Sequence, residues 1–279
     1  MEQIKSELLA LRLSGMAETL KGLQESRKIH ELSLLDGLRL LVQGERDQRE
    51  SNRYRRLVKN ASFRYQATLE ELSFDPSRGL DKTQILSLAT GSYIRNAESI
   101  LISGATGCGK SFIASALGHQ ACKQGFSVMY FSMQKLMAKL KVARIEGVII
   151  RFFEKLAKTD LLILDDFGIG SMEHNQQLDF MEIIEDRHAR KSTIISSQLP
   201  PANWFELFTD ETVADAFLDR VIHTSHRIGL KGYGKLSIRT EKAIVCKTEK
   251  QFLKMKKTNE NIFIFAQNLL YSCSRKYCR

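Results

Sequence analysis

The sequence predicts an α/β fold in which a parallel sheet flanked by helices follows an amino-terminal helical domain. From Ser99 onward, short apolar runs alternate with amphipathic segments, the pattern of strand–helix–strand crossover units. The run Leu161–Leu164 is apolar at every position, as expected for a strand buried on both faces of a parallel sheet. Residues 1–60 instead carry two stripes of apolar residues at helical spacing, which predicts helices there.

The predicted elements divide the chain into four parts. Residues 1–70 form the helical domain, and residues 71–98 form a linker punctuated by proline and glycine, with one helix over 80–90. Residues 99–239 form the α/β domain. Its strands are predicted over 99–103, 126–131, 161–164 and 192–197 and within 226–230, and its helices over 110–124, 134–143, 148–158, 175–190 and 212–221.

The fourth part, residues 240–279, does not continue this pattern. It carries nine Lys/Arg and three Asp/Glu, and so holds much of the formal net charge of +10. We expect an atypical basic tail that packs poorly, as an accidental extension of the chain would. The alternative is a functional tail whose positive charge binds DNA.

The composition is typical of a globular protein. The 279 residues are 43% hydrophobic and 27% charged, and no apolar run approaches the roughly 18 residues of a membrane helix. The amino terminus is polar and mixed in charge, unlike a signal peptide. The five cysteines are odd in number and lack metal-binding spacing. We therefore expect a cytoplasmic protein with reduced thiols and no membrane partner.

Eight consecutive residues fit the phosphate-binding pattern G-x-x-x-x-G-K-[ST]: Gly104, Ala105, Thr106, Gly107, Cys108, Gly109, Lys110 and Ser111. The glycines allow backbone amides to point inward as an anion nest, and a helix starting there adds its positive end. Lys110 supplies a charge to the β- and γ-phosphates of ATP, and the Ser111 hydroxyl is a ligand for Mg²⁺. The alternative is a glycine-rich turn with a solvated lysine. The strand before and the helix after favour ATP binding.

Two adjacent carboxylates, Asp165 and Asp166, end the apolar strand. Carboxylates this close to a core are costly unless a cation compensates their charge. We expect Asp165 to hold Mg²⁺ beside Ser111, and Asp166 to orient or polarise the attacking water. The alternative is a solvated loop after the strand.

The ordered set of motifs resembles the AAA+ ATPase branch that contains the helicase loader DnaC, and more closely the IstB-like helpers of insertion-sequence transposition. The resemblance covers residues 5–239 and rests on the stretches 104–111, 117–122, 159–168, 192–200 and 218–227. It implies a P-loop AAA+ fold, a homo-oligomer with ATP at subunit interfaces, binding and deformation of double-stranded DNA, and a partner transposase.

The resemblance also implies roles for single residues. Ser196 and Ser197 match the polar sensor position, Ser197 being the predicted catalytic residue, although both serines also suit satisfied turn hydroxyls. Arg220 matches the arginine finger that reaches a neighbouring subunit's γ-phosphate; Arg227 is its rival, and a salt bridge on its own helix is the alternative for Arg220. Many AAA+ proteins have Glu where this chain has Asp166, so we expect slow, switch-like hydrolysis.

A basic segment follows the second apolar stripe. Aromatic residues lie among its seven cations, which are Arg46, Arg49, Arg53, Arg55, Arg56, Lys59 and Arg64. Such residues contact phosphates and give salt-sensitive, sequence-tolerant DNA binding. The alternative is a solvated helix face.

Three functions are compatible with these motifs. The favoured one is an ATP-dependent, DNA-binding helper that directs or stimulates a transposase. The others are a DnaC-like replicative helicase loader and a nucleotide-dependent scaffold that has lost hydrolysis.

Overall fold

The computed structural model describes residues 2–26, 32–222 and 225–231. Its strands are β1 (Ser99–Gly104), β2 (Val128–Ser132), β3 (Leu161–Phe167), β4 (Ser192–Ser197) and β5 (Ser225–Leu230). They form one parallel sheet in the spatial order β2–β3–β4–β1–β5. The predicted parallel α/β sheet is therefore confirmed. The predicted basic tail over 240–279 lies outside the described residues.

Helices cover both faces of the sheet and form the amino-terminal region. They are α1 (Glu2–Ala10), α2 (Ser14–Glu25), α3 (Leu34–Ala61), α4 (Lys82–Ala89), α5 (Ser92–Arg95), α6 (Lys110–Lys123), α7 (Met133–Ile145), α8 (Ile149–Lys158), α9 (His174–Arg187) and α10 (Glu211–Ile222). Short 3₁₀ turns lie at Pro76–Arg78, Pro201–Asn203 and Phe205–Leu207. Within the described ranges, no helix combines the length and apolarity that crossing a membrane requires.

The middle residues of β1, β3 and β4 are apolar because both faces of the sheet are covered there. Alternate residues of β1 and β3, such as Ile100 and Ile163, pack into one cluster with α6. Their neighbours Leu101 and Leu162 pack into a second cluster with α9 and α10 on the opposite face. The continuous apolar run in the sequence follows from this two-sided burial.

The second and third helices cross at very close range. A Cβ atom added to Gly15 would lie 2.5 Å from the backbone oxygen of Gly44, so the crossing requires glycine. Buried Glu45 accepts hydrogen bonds from the backbone N–H groups of Gly15 (2.8 Å) and Met16 (3.2 Å). Its carboxylate therefore satisfies two of the amino-terminal donors of α2.

The carboxyl-terminal half of α3 lies against the sheet domain. Leu57 and Val58 pack on the core cluster that contains α6. Tyr54 Oη lies 3.3 Å from His119 Nδ1, and His119 Nε2 lies 3.3 Å from the backbone oxygen of Tyr65. Burial lowers the pKa of His119, while the bond to Tyr65 opposes that shift, so the imidazole is neutral at pH 7. The helical amino-terminal region is thus anchored on α6.

The acidic strand continues further than its apolar run predicts. Its pairing with β4 shifts register between Leu164 and Phe167, and Asp166 has a φ of 61°. This bulge carries Asp165 and Asp166 within the strand itself.

Candidate nucleotide-binding site

The predicted phosphate loop joins β1 to α6 in a conformation that requires glycine. Gly104, Gly107 and Gly109 have φ angles of 151°, 82° and 96°. A Cβ atom on Gly104 would lie 2.5 Å from the backbone oxygen of Leu230 on the neighbouring strand. Gly109 caps α6, whose first residue is Lys110. The loop therefore combines the backbone of an anion nest with a helix amino terminus.

The ammonium group of Lys110 lies over this loop. Its Nζ atom donates hydrogen bonds to the backbone oxygens of Gly104 (2.7 Å) and Ala105 (2.9 Å), and the residue is buried. The side chain thus folds back along the loop and keeps a positive charge beside its amides. This geometry suits a polyphosphate rather than a neutral ligand.

Two contacts that the sequence does not predict fix the loop. Buried Arg78 donates from Nη2 to the backbone oxygen of Cys108 (2.9 Å) and from Nη1 to that of Ser73 (2.8 Å). Thr106 Oγ1 donates to Gln198 Oε1 at 2.8 Å. No motif marks Arg78, and the resemblance over 192–200 assigns no role to Gln198, because both contacts with the loop depend on the fold.

Sheet order brings the acidic residues to the same edge as the loop. Strand β4 lies between β1 and β3, so the carboxyl ends of all three meet there. Asp165 is fully buried and accepts hydrogen bonds from the Tyr130 and Ser196 hydroxyls. Burial raises the pKa of Tyr130, and its bond to Asp165 acts in the same direction. The tyrosine is therefore a donor, and Asp165 is held by hydroxyl groups.

Asp166 is partly exposed and adopts a left-handed backbone conformation. Asp and Asn tolerate this conformation better than other non-glycine residues. The backbone at this bulge is thus a physical reason for Asp where many related ATPases have Glu. Asp166 Oδ2 accepts a hydrogen bond from Arg64 Nη1 at 2.9 Å.

Ser196 and Ser197 have different partners. Ser196 donates to Asp165, whereas Ser197 Oγ donates to the backbone oxygen of Phe167 (2.8 Å) and accepts from Leu199 N (3.1 Å). The structure thus places Ser196, rather than Ser197, against the predicted metal ligand. Ser197 holds the turn that follows β4.

The two arginine-finger candidates also differ. Arg220 on α10 forms an ion pair with Glu185 on α9 and donates to the backbone oxygen of Ala216 at 3.0 Å. The ion pair therefore joins two helices instead of lying within one. Arg227 on β5 has an exposed side chain, and no ion pair joins it to another described residue.

The seven predicted DNA-binding cations divide into two groups. Three make intramolecular contacts: Arg49 with Glu45 (2.7 Å), Arg53 with the Gly125 oxygen (2.8 Å), and Arg64 with the acidic pair. The other four are exposed on α3, and no ion pair joins them to other described residues: Arg46, Arg55, Arg56 and Lys59. The positive charge of these four side chains therefore faces solvent.

Comparison with known proteins identifies the family. The profile described as "IstB-like ATP binding protein" matches residues 6–243. An insertion-sequence ATP-binding protein of Sinorhizobium fredii is 38% identical over 226 residues, covering 81% of this chain and 92% of that protein. The ATP-binding protein of insertion sequence IS1162 from Pseudomonas fluorescens is 42% identical over 196 residues, covering 70% and 85%.

Solved structures share the fold at lower identity. DnaI superposes with a TM-score of 0.50 at 16% identity, covering 59% of this chain and 91% of that one. AMPPCP-bound DnaA from Aquifex aeolicus gives 0.50 at 24% identity, covering 60% and 51%. These likenesses confirm the predicted P-loop AAA+ fold, and the profile match confirms the resemblance read from the motifs. The chain belongs to the family of IstB-like ATP-binding proteins.

Proposed function

We propose that this protein is an ATP-dependent helper of insertion-sequence transposition. In this function it binds double-stranded DNA without strong sequence preference, forms homo-oligomers through ATP-containing interfaces, and directs or stimulates a partner transposase. The observation that carries the proposal is the phosphate loop, with Lys110 folded over its amides in a chain of this family. The names of the relatives, which are insertion-sequence proteins, support the transposition context.

The chemistry assigned to the site is phosphoryl transfer to water. The loop amides and Lys110 bind the phosphates, while the Ser111 hydroxyl and the Asp165 carboxylate offer the hard oxygen donors that suit Mg²⁺. Bound Mg²⁺ would neutralise charge on the phosphates. Asp166 orients the attacking water, and Ser196 holds Asp165 in place through its hydroxyl. Arg220 or Arg227 would reach the neighbouring subunit's nucleotide.

Asp166 provides the first test of hydrolysis. Because Asp166 is assigned to the water, Asp166→Ala should lower kcat for ATP hydrolysis by about tenfold or more while ATP binding persists. Steady-state phosphate release from the parent and the variant measures this. Glu182→Ala removes an exposed carboxylate on α9 and should leave the rate unchanged. Equal rates for parent and Asp166→Ala would remove Asp166 from the mechanism, and binding without turnover in the parent would favour a scaffold.

The DNA surface is tested on the exposed cations of α3. Replacing Arg55, Arg56 and Lys59 together with alanine should weaken binding to two unrelated duplexes alike, by about tenfold or more. The slope of log affinity against log salt should fall by up to about 3, because each lost phosphate contact releases about one counterion fewer. Fluorescence anisotropy at several salt concentrations measures both quantities.

A triple variant with the same charge loss elsewhere serves as the control. Lys123, Arg151 and Arg190 are exposed cations on α6, on α8 and after α9, and their replacement should have a smaller effect. If both triple variants weaken binding equally, net charge rather than α3 explains the affinity. If the α3 variant binds as the parent does, this surface is rejected.

A further inference from the structure

Arg64 connects the basic helix α3 with the acidic end of β3. Helix α3, which carries the exposed cations, ends at Ala61, and Ser62 caps it in the left-handed conformation. Arg64 follows two residues later. Its Nη1 atom lies 2.9 Å from Asp166 Oδ2 and 3.4 Å from Asp165 Oδ2. One short segment therefore leads from the basic helix to the acidic end of β3.

The neighbours of Arg64 are anchored on α6. The ring of Phe63 stacks on His119 with a centroid separation of 4.3 Å, and the backbone oxygen of Tyr65 lies 3.3 Å from His119 Nε2. The Arg64 guanidinium carbon lies 5.6 Å from the centre of the Tyr65 ring. Since α6 begins at Lys110, the segment 62–65 is held against the helix that follows the phosphate loop.

The carboxylate oxygens near Arg64 already have partners. Asp165 Oδ1 accepts from Ser196, while Asp165 Oδ2 accepts from Tyr130 and faces Arg64. The three charged groups, two carboxylates and one guanidinium, sum to −1; without Arg64 they sum to −2. A divalent cation that draws on these carboxylates therefore competes with Arg64 for the same charge.

We propose that Arg64 couples the metal site to the position of α3: a divalent cation arriving with the nucleotide displaces the guanidinium from Asp165 and Asp166. This inference rests on the proposed ATP-binding function. Displacement removes the ion pair that ties the end of α3 to β3, so the nucleotide state alters how the basic helix is held. Coupling is reciprocal, and a polyanion bound on α3 therefore changes the affinity for the cation and nucleotide.

The test is a Mg²⁺ titration at a fixed concentration of a fluorescent, non-hydrolysable ATP analogue, using the full chain. Arg64→Ala removes the competitor, so the Mg²⁺ concentration at half-saturation should fall by about threefold or more, the range of a partly exposed ion pair. Arg64→Lys keeps the positive charge without the planar guanidinium, so its Mg²⁺ concentration at half-saturation should lie between those of the parent and Arg64→Ala. Arg151→Ala, an exposed arginine on α8, should match the parent.

Hydrogen exchange supplies a readout that does not depend on affinity. In the parent, adding Mg²⁺ and the analogue should increase amide exchange over residues 58–66. In Arg64→Ala the faster exchange should be present before Mg²⁺ is added. A structural role alone would speed exchange without moving the Mg²⁺ midpoint.

The outcomes separate the two proposals. An unchanged midpoint for Arg64→Ala overturns the coupling role, and a higher midpoint overturns it in favour of a direct contact between Arg64 and the phosphates. If the parent binds no analogue at any Mg²⁺ concentration, the proposed ATP-binding function itself fails, and the coupling role falls with it.

Discussion

Lys110→Ala should reduce ATP affinity by about 10- to 100-fold, the effect of losing a charge-assisted hydrogen bond to phosphate. The side chain contributes the positive charge above the loop, and its present contacts to Gly104 and Ala105 place it beside the amides that face the phosphates. Titration calorimetry of the parent and the variant with ATP and Mg²⁺ measures the change. Circular dichroism at the same temperature verifies that the variant is folded.

The control for Lys110 lies on the same helix. Lys123 is exposed in the last turn of α6, so Lys123→Ala removes a lysine without touching the loop and should leave ATP affinity within about twofold. If Lys110→Ala bound ATP as tightly as the parent, the phosphate loop would not be the nucleotide site, and the proposed function would fail.

Arg187→Ala should lower the free energy of unfolding by about 3–5 kcal/mol, because four buried acceptors lose a hydrogen bond from the guanidinium. Arg187 is 1% exposed and lies at the end of α9. Its guanidinium donates to the backbone oxygens of Leu156, Thr159 (2.8 Å) and Ser192 and to Thr193 Oγ1 (3.1 Å). One side chain therefore ties the end of α9 to the carboxyl-terminal end of α8 and to the start of β4.

Electrostatics explain why this arginine needs all of its partners. Burial lowers the pKa of Arg187 to about 9, while the charge of Asp160 acts in the opposite direction. The group is thus still charged at pH 7, and the four acceptors compensate for the water that it has lost.

Urea unfolding at pH 7 measures the effect of Arg187→Ala. Arg190 is an exposed arginine three residues away, and Arg190→Ala should change the free energy of unfolding by no more than about 0.5 kcal/mol. A destabilisation of Arg187→Ala below about 1 kcal/mol would show that the neighbouring strands and helix satisfy these carbonyls without it.

Local chemistry was the predictable part of the site. The phosphate loop could be predicted because its glycines, lysine and serine lie within eight consecutive residues. Each of them meets one requirement of phosphate binding, either a backbone conformation or a charged or polar group. The parallel sheet could be read because burial on both faces makes every position of β3 from Leu161 to Leu164 apolar. The carboxylates that follow this run lie at the same edge of the sheet as the loop, because β3, β4 and β1 are adjacent and parallel.

Contacts between distant segments were not predictable. Arg64 belongs by sequence to a basic run, and only the turn at Ser62 directs it to Asp166. The sequence motif does not distinguish Ser196 from Ser197. In the fold, the pleat of β4 and the bulge in β3 give the two side chains different hydrogen-bond partners. Arg78 lies in a turn-like linker, and its role becomes visible only once the chain folds back onto the phosphate loop.

The glycine contact between α2 and α3 has a mechanical consequence. The backbones of α2 and α3 are in contact, and the Glu45 carboxylate accepts hydrogen bonds from the amino end of α2. The two helices therefore have little freedom to slide or pivot past each other. We therefore expect α2 and α3 to move as one unit, which includes the arginine-rich part of α3. From the contact at Gly44 and Glu45, α3 continues to Ala61, three residues before Arg64 and its ion pairs with the acidic end of β3.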